Sequence, residues 1–203
     1  HTCLFFIYIT LTGFSLAVVT NVSKAFGKED IQALRINFRM GLWLVFGFSL
    51  FGLILVSKTK EFLTYLEQDE YIVGIVSQYI QIVQWMMPFL LLTYVIKAFL
   101  ISVKKQQVVL VISILGLVTN FVFNYLFIFG NFGFPELGIS GVACSSLFTS
   151  IAMMLSGLLY IHFSDLKEKQ IFKDFFIFDA EIFKKLFKLG WPICLTIMAE
   201  SGM

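Results

Sequence analysis

Proline, cysteine, histidine and charge are all scarce in this chain. Of its 203 residues, 3 are Pro, 3 are Cys, 2 are His and 14% are charged. A soluble domain carries about a quarter charged residues, so the shortage argues against a largely water-exposed surface. Cys3, Cys144 and Cys194 stand alone in apolar segments with no paired spacing. That pattern argues against a disulfide framework or zinc motif and leaves small packing residues. His162 is too isolated to bind a metal. No glycine-rich phosphate loop follows a strand pattern, and Gly138 to Gly141 read as a helix entry. No Ser–His–Asp set falls on one side of the apolar runs, so the sequence offers no enzyme constellation. A net charge of +2 is too small to attract a polyanion, which argues against nucleic acid as a partner.

What remains is apolar. Hydrophobic residues make up 59% of the chain, 25 of them Phe, and mean hydropathy is +0.89. Five full runs occupy 2–22, 38–57, 72–103, 108–129 and 138–161, and a sixth begins at Leu189. A bilayer-spanning helix needs about 20 apolar residues, and lipid tolerates no unpaired backbone polar groups. The expectation is an all-α polytopic membrane protein with the lipid bilayer as its partner. The first run lacks a basic n-region and a small-residue cleavage site, so it reads as a span rather than a signal peptide. The third is too long for one straight crossing. Its part 71–81 is expected to extend beyond the membrane, and Pro88 to kink it. Neither end carries a polar flank, so the sequence reads as a fragment.

Charge between the runs alternates. The first loop, 23–37 with Arg39 beside it, carries Lys24, Lys28, Arg35 and Arg39; the third, 104–107, carries Lys104 and Lys105; the fifth, 164–188, carries six lysines. The second has only Lys58 and Lys60 among four acids and is expected to form a short solvated helix; the fourth, 130–137, has no basic residue. The positive-inside rule puts loops 23–37, 104–107 and 164–188 in the cytoplasm. In the fifth loop Asp179 reads as an N-cap. Ile182, Phe183, Leu186 and Phe187 share a face opposite Lys184, Lys185 and Lys188, the pattern of an interfacial helix on the cytoplasmic leaflet. Trp43, Trp85 and Trp191 are expected near membrane interfaces or in the interior of the helix bundle.

Twelve of the 13 acids lie in loops or at span edges; Glu200 does not. It sits eight residues, roughly 12 Å of helix, beyond Pro192. An intramembrane carboxylate costs about 2.5–3.5 kcal/mol on insertion scales. It reads as a proton or cation site, or as a protonated group bonded to a neighbouring helix. In the fourth run, Ser113, Gly116, Asn120 and Asn124 share one helical face. Their amides can coordinate a cation or hold helices together at about 0.6–2 kcal/mol each. The stripe Gly141, Ser145, Thr149, Ala152 and Ser156 in the fifth run means close helix packing or hydroxyls lining a cavity. Lys97 can snorkel to the interface or pair with a carboxylate elsewhere.

Asn120-Phe-Val-Phe-Asn124-Tyr-Leu-Phe-Ile-Phe-Gly130, followed by Phe134-Pro-Glu-Leu-Gly-Ile-Ser-Gly-Val-Ala143, resembles the fifth and sixth helices of MATE (multidrug and toxic compound extrusion) transporters. Leu189-Gly-Trp-Pro192 with Glu200-Ser-Gly202 resembles the start of their seventh helix. Phe26-Gly-Lys28 and Lys97-Ala-Phe-Leu100 resemble the ends of the second and fourth. The resemblance implies twelve helices in two six-helix lobes. Residues 1–163 would form most of the N-lobe, 164–188 a cytoplasmic linker with its amphipathic helix, and 189–203 the start of the C-lobe. The first helix and the rest of the C-lobe would lie elsewhere in the same protein. It implies a cell (inner) membrane antiporter that exports small organic cations, drugs or metabolites for Na⁺ or H⁺, with no other cofactor. By resemblance Glu200 matches the C-lobe coupling carboxylate and Asn120 a polar ligand of the N-lobe cation site. Asn124 stands where some members carry Asp, and Ser146 where some carry Thr. These four residues are the candidate ion-coupling and substrate site, with Na⁺ the one metal ion the resemblance allows there. A lipid-linked oligosaccharide flippase of the same superfamily, which would line its cavity with cations, and an inactive truncated membrane fragment are the alternatives.

Overall fold

The computed structural model describes residues 2–58, 70–133 and 136–201. Among them are seven α-helices and no strand: α1 (Thr2–Gly27), α2 (Ile31–Ser57), α3 (Glu70–Val83), α4 (Met86–Ser102), α5 (Gln106–Phe129), α6 (Ile139–Phe163) and α7 (Ala180–Ser201). Two short 3₁₀ turns, Asn131–Gly133 and Asp165–Lys167, complete the set. The all-helical expectation holds. The second-loop helix falls mostly at 59–69 and the packing of Cys3 on an undescribed side chain, so both lie outside the described residues. By length and composition α2, α5 and α6 can each cross a bilayer, and the α3–α4 pair counts as a fourth, bent span.

Helix ends depart from the apolar runs for identifiable reasons. The expected loop 23–37 is mostly helical, because α1 runs to Gly27 and α2 starts at Ile31. Asp30 caps α2 by accepting the Ala33 N–H at 2.9 Å, which lets the helix begin in polar sequence outside the apolar zone. The third run bends by 41° between Val76–Val83 and Met86–Ser102, at Gln84 and Trp85 rather than at Pro88. A proline removes the bond to the carbonyl four residues earlier and collides with it, so the break falls at Gln84. The amphipathic segment 180–188 and the run from Leu189 form one continuous helix, α7, with Pro192 inside it. Asp179 caps α7, accepting the Ile182 N–H at 3.0 Å.

The core lies between α1, α2 and α4. Phe38 of α2 meets Phe99 of α4 at 4.4 Å between ring centroids. Phe14, Val18, Leu34, Leu91 and Ile96 are buried around them. The apolar face of α7 packs on this body. Leu186 is buried, and Phe187 stacks against Phe14 and Phe48 at 6.0 and 5.9 Å. Two glycines allow the closest helix approaches. A Cβ on Gly13 would lie 2.8 Å from the Cys194 backbone of α7, and one on Gly141 2.6 Å from the Phe127 carbonyl oxygen of α5. Helices α5 and α6 form a hairpin that joins the core through α6 against α4. Most of α5 is bare, with Leu117 and Phe121 more than 70% exposed. In water such a surface would associate; hydrocarbon satisfies it.

The chain after α6 is strapped onto α2. Arg35 Nε donates to the Lys169 carbonyl at 2.7 Å, Arg39 Nη1 to the Asp174 carbonyl, and Trp43 Nε1 to the Phe175 carbonyl at 3.3 Å. Residues 35, 39 and 43 stand four apart and so share one face of α2. These donors satisfy carbonyls of a segment with no regular ladder.

Candidate functional site

The polar residues of α5 and α6 converge where Gly141 brings the two backbones together. Asn124 Nδ2 donates to Asn120 Oδ1 at 3.0 Å, one turn away on α5. From α6, Ser145 Oγ lies 2.6 Å from Asn124 Oδ1 and 2.9 Å from the Val142 carbonyl. Its one proton serves one of these acceptors at a time. Thr149, one turn further along the same face, is buried, and its hydroxyl has no hydrogen-bond partner among the described residues. A strip of side-chain oxygens therefore runs between the helices: Asn120 Oδ1, Asn124 Oδ1, Ser145 Oγ and Thr149 Oγ1. Amide and hydroxyl oxygens of this kind are hard donors suited to an alkali cation or a protonated amine.

Of the residues expected at the site, Asn120 and Asn124 are brought together. Ser146 is not brought to them: its hydroxyl donates to Val142 O of its own helix at 2.9 Å. Ser145 takes that place, because it stands one full turn beyond Gly141, on the face that touches α5. The stripe spacing had already put Ser145 on the same face as Gly141. Glu200 lies exposed in the last turn of α7. Helix α7 contacts α1 and α2 but neither α5 nor α6, so the carboxylate and the amide pair sit on separate elements. Cys194 packs at Gly13, mid-way along α1, and Glu200 is six residues, roughly 9 Å, beyond it.

Lys97 of α4 donates to Ser113 Oγ at 3.1 Å, at the start of the same α5 stripe, so it finds a neutral hydroxyl partner. Outside the spans, Lys105 and Asp165 pair at 3.1 Å. Their hydrogen bond raises the lysine pKa and lowers that of the carboxyl. Cys144 and Cys194 are free thiols. Among the described residues no group of three or more His, Cys, Asp or Glu is placed to hold a metal ion.

Apolar helices of spanning length around an internal polar strip define a multi-pass membrane protein. A model of the MatE family matches residues 2–126, and the chain belongs to that family. It is 32% identical over 200 residues to a protein of Rhizobium meliloti named "Probable multidrug resistance protein NorM", covering 98% of this chain and 43% of that protein. A protein of the same name from Agrobacterium fabrum is 28% identical over 197 residues, covering 97% and 42%. The chain thus spans about two-fifths of the length of the curated relatives it matches. Among solved structures, an inward-facing multidrug resistance MATE family transporter of the MOP superfamily superimposes with a TM-score of 0.83. It shares 16% identity, and the match covers 97% of this chain and 44% of that one; at that identity the likeness establishes the fold.

Proposed function

We propose that this chain works as part of a secondary active antiporter of the cell (inner) membrane. It exports small organic cations, drugs or metabolites in exchange for Na⁺ or H⁺ by alternating access. The observation that carries this reading is similarity along nearly the whole chain to proteins named multidrug resistance protein NorM. Segments 23–37, 104–107 and 164–188 face the cytoplasm in this reading, which their lysines and arginines support.

The proposed chemistry uses two polar centres, each carried on a largely apolar helix. Glu200 carries the one carboxylate in the sixth apolar run. Closing a cavity over it is tolerable when a proton, a metal cation or a cationic substrate neutralises it, and costly when it is ionised and alone. Ion and substrate therefore compete for one negative charge, and occupancy by either shifts the balance between inward- and outward-open forms. Asn120 and Asn124 supply neutral oxygens to a second binding locus, with Ser145 orienting the Asn124 amide; Ser146 borders it on α6.

The test is ethidium efflux from vesicles holding the protein expressed from its complete reading frame, with Na⁺ and pH gradients imposed separately. One gradient is expected to drive efflux, and Asn124→Leu to reduce it at least tenfold. Efflux that ignores both gradients and runs only on nucleotide hydrolysis would overturn the proposal.

A further inference from the structure

We propose that the strap over α2 forms a binding site for a phospholipid with a primary-ammonium headgroup, the chemistry of phosphatidylethanolamine. Two cavities flank strap residues 172–175. The first, about 560 Å³, is lined by three cations, Arg35, Arg39 and Lys173, and three carboxylates, Asp174, Asp179 and Glu181. The second, about 360 Å³, begins one turn further along α2 and has no charged residue in its lining; Trp43, Phe46, Phe172 and Phe175 bound it, with Leu158 of α6 at its back. The same four strap residues separate them: Lys173 and Asp174 line the charged cavity, Phe172 and Phe175 the apolar one.

Their order along the membrane is the order of a lipid. With the N-terminal end of α2 on the cytoplasmic side, as its positive charge suggests, Arg35 and Arg39 would stand toward the headgroups, and Trp43 and Phe46 lie roughly 6–10 Å further along α2 than Arg39. An isolated phosphate would face three carboxylates, and an isolated cation three basic groups. A zwitterion matches both. Arg39 is 5% exposed and its Nε has no partner among the described residues, although Nη1 holds the strap at the Asp174 carbonyl. A buried donor left unpaired costs about 1–3 kcal/mol; Arg39 also lines the charged cavity, and a turn of its guanidinium toward a phosphate oxygen bound there would relieve that cost. Arg35 spends Nε on the Lys169 carbonyl, leaving its terminal nitrogens for the same phosphate. Asp179 gives one oxygen to the α7 cap and keeps the other. An ammonium with three N–H groups can bond to these carboxylates; a choline headgroup has no N–H to donate.

The inference does not depend on the transport reading, and its test reads no transport. The protein, expressed from its complete reading frame and delipidated in mild detergent, is mixed with equal amounts of dioleoyl phosphatidylethanolamine, phosphatidylcholine and phosphatidylglycerol. Bound lipid is then counted by native mass spectrometry. The ethanolamine lipid is expected in about tenfold excess over each of the others, the ratio expected from one charge-assisted hydrogen bond. Lys173→Gln with Glu181→Gln, neither of which removes a strap bond, is expected to erase that excess while helicity and elution volume stay unchanged. Leu158→Trp, which fills the apolar cavity, is expected to lower total adduct. Soluble glycerophosphoethanolamine at the same concentration is expected not to compete. Equal retention of the three lipids, preference for phosphatidylglycerol, competition by the soluble headgroup, or an excess that survives the double substitution would each overturn the proposal.

Discussion

The contact between α5 and α6 makes the most exacting structural prediction, because two glycines in one interface should respond oppositely to the same substitution. A methyl group at Gly141 would lie 2.6 Å from the Phe127 carbonyl oxygen and 2.8 Å from its carbon. Both atoms are backbone inside a helix, so no rotamer relieves the clash. Ordinary contact begins at 3.4 Å, so α6 must retreat by 0.8 Å. Ser145 is one turn on, and its 2.6 Å contact with Asn124 would stretch toward the limit of a hydrogen bond. Overpacking of this kind costs about 1–3 kcal/mol. A methyl group at Gly116, by contrast, meets only side-chain atoms, the Met153 sulfur at 2.4 Å and its Cγ at 2.9 Å, on a side chain with three rotatable bonds. Gly116 is also mid-helix, where Ala is favoured over Gly by roughly 1 kcal/mol. In thermal unfolding of the purified protein, Gly141→Ala should lower the midpoint clearly, and Gly116→Ala should leave it unchanged or raise it. Equal losses from the two would refute the idea that a backbone contact, rather than general tightness, sets the spacing of the helices.

Other outcomes follow from the same geometry. Arg39→Gln removes a buried strap bond and should expose 164–179 to hydrogen exchange, with a stability loss of about 2 kcal/mol; unchanged protection there would show that the strap holds without it. Phe38→Ala empties the centre of the core beside Phe99 and should cost about 3 kcal/mol in thermal unfolding. For the Lys105–Asp165 pair, the raised lysine stabilises below its ordinary 10.5 and loses that contribution as pH rises through the raised value. The lowered carboxyl stabilises above its ordinary 3.8 and loses its contribution as pH falls through the lowered one. Any difference between Asp165→Asn and the parent should therefore be constant from about pH 5 to about pH 9, and small, because both groups are exposed.

Hydropathy located the membrane-embedded helices but not their ends. Residues 23–37 are polar enough to read as a loop yet are mostly helical, since a capped helix runs through polar sequence as readily as apolar. Pro88 marked the bend, but the break lies at Gln84, because a proline disturbs the carbonyl four residues before it. The pattern of 180–188 identified an amphipathic helix correctly. Its partner is the aromatic surface of Phe14 and Phe48, a tertiary fact that no local period encodes. The oxygen strip was half legible: the spacing of Asn120 and Asn124 put both on one face, and the Gly141–Ser145–Thr149 stripe pointed at the matching face of α6. Ser145 and Ser146 differ by a rotation of about 100°, and the contact of Gly141 with Phe127 turns Ser145 toward α5. Arg35 and Arg39 counted in the sequence only as cytoplasmic positive charge. Their strap bonds span more than 130 residues, and no spacing rule reaches that far.

The measurement that bears most directly on the functional account is gradient-driven ethidium efflux by Glu200→Gln, in the protein expressed from its complete reading frame, with membrane insertion verified by protease protection. The account predicts normal insertion with coupled efflux abolished, because a neutral amide cannot alternate between ion and cationic substrate. Efflux at the parent rate, still responsive to the same gradient, would contradict it.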